Sequence, residues 1–93
     1  MFERILKRFR ERIRTRQFVM TLHALEEMEG DELSIYDIEH TILTGSIIDR
    51  QKDEKSGEWK YLVRGGSASD EDVVVVGKLS QTNKLVIITV YVE

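Results

Sequence analysis

Ninety-three residues, 41% of them hydrophobic and 33% charged, suffice for one packed domain and leave no room for a second core. The absence of cysteine removes disulfides, thiolate metal sites and cysteine nucleophiles, and no apolar run approaches the roughly 20 residues that span a bilayer. The net charge of −3 conceals a bipolar chain. Residues 1–16 carry seven arginines and lysines against Glu3 and Glu11, a balance of +5, whereas the remainder carries seven basic against fifteen acidic residues, a balance of −8.

In chain order, Phe2, Ile5, Leu6, Phe9 and Ile13 recur at helical spacing with arginine and lysine between them, so residues 1–16 hold a basic amphipathic helix ahead of a single α+β domain over 17–93. Its apolar stripe can dock on the rest of the domain or on a twin subunit, and its basic face suits a nucleic acid or an anionic surface. Because the opening MFERILKRFR lacks the continuous apolar stretch of a signal peptide, a cytoplasmic location without membrane attachment is expected. Phe18-Val19-Met20 reads as a short first strand. Thr21 is placed to cap a helix running to Glu29, interrupted by Gly30-Asp31. Ser34-Ile35-Tyr36-Asp37 is a capping box for a third helix that stops at Gly45.

From Ser46 the period changes to two. Ser46–Lys52 and Glu58–Arg64 flank a hairpin loop, Gly65–Asp72 reads as a flexible polar connection, Val73–Leu79 as a central strand, and Leu85–Val92 closes the sheet after a turn at Thr82-Asn83. Short connections make these strands antiparallel neighbours. The expected fold is α+β, with helices packed on one face of a four- to five-stranded antiparallel sheet.

Strict alternation puts Val86, Ile88, Val90 and Val92 on the helix side of the last strand and Leu85, Ile87, Thr89 and Tyr91 on the open side. Trp59, Tyr61 and Val63 likewise oppose Lys60, Leu62 and Arg64. With Lys78 at the rim, the open face would be basic and aromatic, a surface suited to phosphates and stacked bases. His23 shares its side of a helix with Glu26 and Glu27, a pairing that could orient an imidazole. One histidine with helix-local carboxylates makes no metal site, and no phosphate loop or paired-carboxylate signature calls for a cofactor. His40 reads as a surface residue.

His23-Ala24 followed by Met28, the Ser34–Ile38 helix start with Thr44-Gly45 at its end, Lys60–Gly65, the valine strand and Thr89-Val90-Tyr91 occur in one order. Over about residues 17–92 this resembles a bacterial family, domain of unknown function 4258, grouped with the RelE/ParE-like and BrnT-like toxins. The resemblance implies a RelE/ParE toxin-like fold and cleavage of RNA through its own 2′-hydroxyl. By that likeness His23, Arg64 and Tyr91 are the catalytic positions, Lys60 and Lys78 contact nucleic acid, and the partners are RNA or the ribosome and an antitoxin-like protein. This chain departs from the family in carrying Glu27, and the acidic stretch Glu29–Glu32, where basic residues are usual. The second reading is a non-catalytic interaction module or homodimer that uses the basic helix.

Overall fold

In chain order the computed structural model, which describes residues 1–93, forms α1 (Glu3–Arg14), β1 (Phe18–Met20), α2 (Leu22–Gly30), α3 (Ile35–Thr44), β2 (Ser46–Lys52), β3 (Trp59–Gly66), β4 (Asp72–Leu79) and β5 (Leu85–Val92). The architecture is α+β, with three helices against a five-stranded sheet. No helix is long and apolar enough to cross a membrane.

The helix ends follow the local chemistry. Thr21 accepts the Ala24 N–H at 3.1 Å and caps α2. At α3 the Ser34 hydroxyl accepts the Asp37 N–H while the Asp37 carboxylate accepts the Ser34 N–H at 2.7 Å, closing the capping box. Both α1 and α2 end in Schellman motifs, with Gln17 N–H bonded to the Arg12 carbonyl and Leu33 N–H to the Met28 carbonyl. The left-handed residues of those motifs are Arg16 and Glu32, each at φ 57°, rather than glycines. Gly45 ends α3 in extended backbone. Its lack of a side chain serves packing, because a Cβ there would run into the carbonyl oxygens of Thr41 and Arg64.

The strand order is β1-β5-β4-β3-β2. Strands β2 to β5 form the expected meander, with β4 at its centre. The sheet is nevertheless mixed and not wholly antiparallel, since β1 runs parallel to β5 with Val19 beside Val86. Two helices separate β1 from β2, so no hairpin constrains β1 and it pairs at the far edge instead.

A bulge overturns the simple alternation in β5. Val76 faces Thr89 but the next residue, Gly77, faces Ile87, leaving Ile88 extra. The side chains therefore change sides there: Leu85 and Ile87 join Val90 and Val92 on the helix side, while Thr89 and Tyr91 stay on the open side. Ile48 makes a second bulge in β2. The Gly65–Asp72 connection is also tighter than its composition suggests. Gly65 and Gly66 belong to β3, the latter opposite Asp72, and Ser67, almost fully buried, ties the turn through its hydroxyl to Glu71 N–H at 3.0 Å.

One core of twelve buried residues joins all three helices to the sheet. Phe9 and Ile13 of α1, Ala24 of α2, and Ile38 and Ile42 of α3 meet Val63, Val73, Val75, Leu85, Ile87 and Val90. Phe9 lies over Gly77, where a Cβ would stand 3.4 Å from its ring, and meets Tyr61 edge-on at 5.9 Å. Burying such a ring contributes roughly 2–3 kcal/mol.

Candidate functional site

The helices cover one side of the sheet, so the other is the first place to look for a site. The pairing sets out its rows. Arg64 and Tyr91 flank Val74, Leu62 and Thr89 flank Val76, and Lys60 neighbours Gln51 while Lys78 neighbours Val86. Val74 is fully buried and Val76 nearly so, although neither belongs to the helix-side core. Long flanking side chains shield them, as snorkelling Arg and Lys stems commonly do.

Of the expected site residues, Arg64, Tyr91, Lys60 and Lys78 thus share one face, with Arg64 and Tyr91 in one row. His23 is not joined to them by any hydrogen bond. It stands on α2, where its Nε2 meets Glu27 Oε1 at 3.1 Å. That same oxygen accepts the Val90 N–H at 3.1 Å, and Thr21 Oγ1 donates to the Ile88 carbonyl. Below this point β1 pairs with the β5 edge; above it α2 takes over, and Glu27 supplies the acceptor that a neighbouring strand would. Glu27 is therefore a structural clasp.

The open face is also balanced in charge. Arg64 Nε lies 2.6 Å from Glu93, and Lys78 Nζ lies 3.3 Å from Glu58. Only Lys60 among its cations lacks a partner. The single pocket in the molecule, about 200 Å³, lies elsewhere, between the first turn of α1 and the start of β2. Nothing on the sheet face encloses a reacting group, and no group of three acidic or histidine side chains could hold a metal ion.

A second surface is the outward side of α1. Three of its arginines are engaged within the fold. Arg10 donates to the carbonyls of Ile42 at 3.0 Å and Gly45 at 2.7 Å, closing the carboxyl end of α3. Arg8 donates to the Asn83 side chain at 2.6 Å, and Arg12 to its carbonyl. By contrast, Arg4, Lys7, Arg14 and Arg16 are exposed, and their side chains make no hydrogen bond or ion pair. At 100° per residue, Arg4, Lys7, Glu11 and Arg14 fall on one side, opposite Ile5, Phe9 and Ile13. The division into anchoring and free cations was partly readable from that angular spacing, whereas the Asn83 and Ile42 partners were not.

Two further ties hold the frame. Asp37 Oδ1 accepts the Ala68 N–H at 2.9 Å, fixing the β3–β4 turn to α3. The Ser34 amide foremost, with the Ala68 amide and the Ser34 hydroxyl, holds its carboxyl below the usual range despite burial, and His40 adds a smaller electrostatic contribution. His40, exposed as expected, is nonetheless anchored: its Nδ1 hydrogen-bonds the Gly66 carbonyl at 2.7 Å.

A family model, Domain of unknown function (DUF4258), matches residues 20–92. The chain belongs to that family. The matched segment runs from the end of β1 through β5 and leaves α1 outside, so the free cations lie beyond the part shared with the DUF4258 family. No curated protein and no solved structure matches the chain.

Proposed function

We propose that this protein is an RNA-binding domain, related to the RelE/ParE-like and BrnT-like toxins, that holds RNA on the outward side of α1 without cutting it. The observation that carries the reading is the set of four unpartnered cations, Arg4, Lys7 and Arg14 on a helix whose opposite side is locked into the core and Arg16 just past its end. A helix already fixed in the core presents these cations, with Glu11 among them, at no ordering cost to its backbone, and their contacts with phosphates release condensed counterions.

Cleavage at His23, Arg64 and Tyr91 has less support. Arg64 is neutralised by Glu93, His23 is held by Glu27 on α2, and the open face offers no water-excluded pocket in which a developing phosphorane charge would be stabilised. A charge-balanced face on which Tyr91 stands exposed beside Arg64 fits a protein partner better than a polyanion, and an antitoxin-like protein is the partner that the toxin relationship suggests.

Titrating the protein with a labelled oligoribonucleotide at several salt concentrations tests the reading. Four phosphate contacts on a single strand predict a slope of log K against log salt of about −3. Replacing Arg4, Lys7, Arg14 and Arg16 by glutamine should abolish binding while leaving the melting temperature within a few degrees. Equal affinity for that variant overturns the assignment, and RNA cleavage lost in Arg64→Ala would reinstate the catalytic reading.

A further inference from the structure

The chain entering α1 lies against β3 of the β2–β3 hairpin. Phe2 packs edge-on against Tyr61 at 6.0 Å. Trp59 stands two residues before Tyr61 in β3, hence on the same side of the sheet and one pleat, roughly 7 Å, farther on. There it is 40% exposed, although it is among the largest apolar side chains in the molecule. Arg50 and Lys52, across on β2, lie over its ring at 4.2 and 5.9 Å from the centroid. The hairpin loop behind it is held in shape by Asp53, whose carboxylate accepts the Lys55 N–H at 2.9 Å and whose carbonyl accepts the Gly57 N–H at 2.7 Å.

An exposed indole with two cations over its ring, in a molecule that also carries free cations on α1, combines the two elements by which proteins hold single strands. Phosphates follow the charges while a base stacks on the aromatic surface. A duplex keeps its bases inside the stack and gains nothing from such a platform. Resting on the RNA reading above, we propose that Trp59, with Arg50 and Lys52, is a base-stacking subsite and that the ligand is single-stranded RNA. The path would run along Arg14, Lys7 and Arg4 and end with an unpaired base on Trp59. Arg50 has a double part here, covering the indole in the free protein and offering its own guanidinium plane as a stacking surface.

Trp59 is the only tryptophan, so its emission reports on this subsite alone. Titration of the full chain with an eight-nucleotide oligouridylate or oligoadenylate, and with a duplex of the same length, should quench the indole with the single strand and scarcely with the duplex. Trp59→Ala should weaken single-strand binding about 5- to 150-fold and leave duplex binding unchanged. Trp59→Phe, which keeps a stacking ring and guards against misfolding of the alanine variant, should retain most of the affinity. If labelled single strands bind yet the emission of Trp59 does not change and Trp59→Ala binds equally well, the subsite is wrong while the α1 surface stands. If neither oligonucleotide shifts the anisotropy, both readings fall.

Discussion

Gly45 and Gly65 meet across the seam between α3 and β3, so closely that a Cβ on Gly65 would stand 3.0 Å from the Gly45 Cα and 2.7 Å from the Thr41 carbonyl oxygen. Backbone contacts of this kind cannot be relieved by rotating a side chain. Gly45→Ala and Gly65→Ala should therefore each destabilise the fold by about 3 kcal/mol in urea titrations. Gly66→Ala is the control: its nearest neighbour would be 3.9 Å away, ordinary contact, and its effect should stay below about 1 kcal/mol. Equal losses at positions 65 and 66 would show that strand propensity, rather than the seam, sets the cost.

Acid should weaken the fold through Asp37. Hydrogen bonds from the Ser34 and Ala68 amides lower its folded-state pKa, so the unfolded chain takes up the proton first as pH falls. Its contribution is complete above the ordinary carboxyl value of about 4 and disappears as pH drops through the lower folded value. Stability should be level above about pH 5 and decline below it, and Asp37→Asn should cost about 1 kcal/mol at pH 7 and flatten that decline. Asp53, likewise depressed by its bonds to the Lys55 and Ser56 amides, titrates in the same direction, so the Asp37→Asn curve should retain a remnant. An unchanged profile would remove Asp37 from the account.

Glu27 and His23 should behave unequally although they touch. Glu27→Ala leaves the Val90 N–H on a fully buried residue without its acceptor, which costs about 1–3 kcal/mol. His23→Ala removes an exposed imidazole and should stay within about 0.5 kcal/mol. Thermal unfolding of the two variants measures both.

Arg16→Gly should raise stability and lower affinity together. Glycine relieves the left-handed strain, a gain of about 0.5–1 kcal/mol, while the lost cation should reduce the salt slope of single-strand binding by about 0.7. A stabler variant with an unchanged slope would show that Arg16 does not meet phosphate.

Much of the frame was readable from local signals because those signals are short-ranged: Thr21 and the Ser34–Asp37 box declared two helix starts, and the valine run declared the central strand. What escaped depends on distant residues. Nothing near Ile88 announces a bulge, which shows only in the ladder opposite Val76 and Gly77. Gly65-Gly66 reads as a loop until the end of α3 is placed against it. The open face looked basic because alternation shows where Arg64 and Lys78 point; their partners Glu93 and Glu58 stand just past the end of β5 and just before the start of β3. In the same way seven cations in the first sixteen residues were countable, but which of them remain free was decided by Asn83, Ile42 and Gly45.

The clasp at the β5 edge has a consequence for how this sheet can grow. On that side a newcomer would find only the three residues of β1 to template on, because α2 occupies the upper half through Thr21 and Glu27. The opposite border, β2, is seven residues long but broken by the Ile48 bulge and studded with Arg50 and Lys52. A sheet with one serviceable border can at most zip to a single companion and then stops. Even at high concentration the folded molecule lacks the two matching borders that open-ended edge-to-edge growth requires.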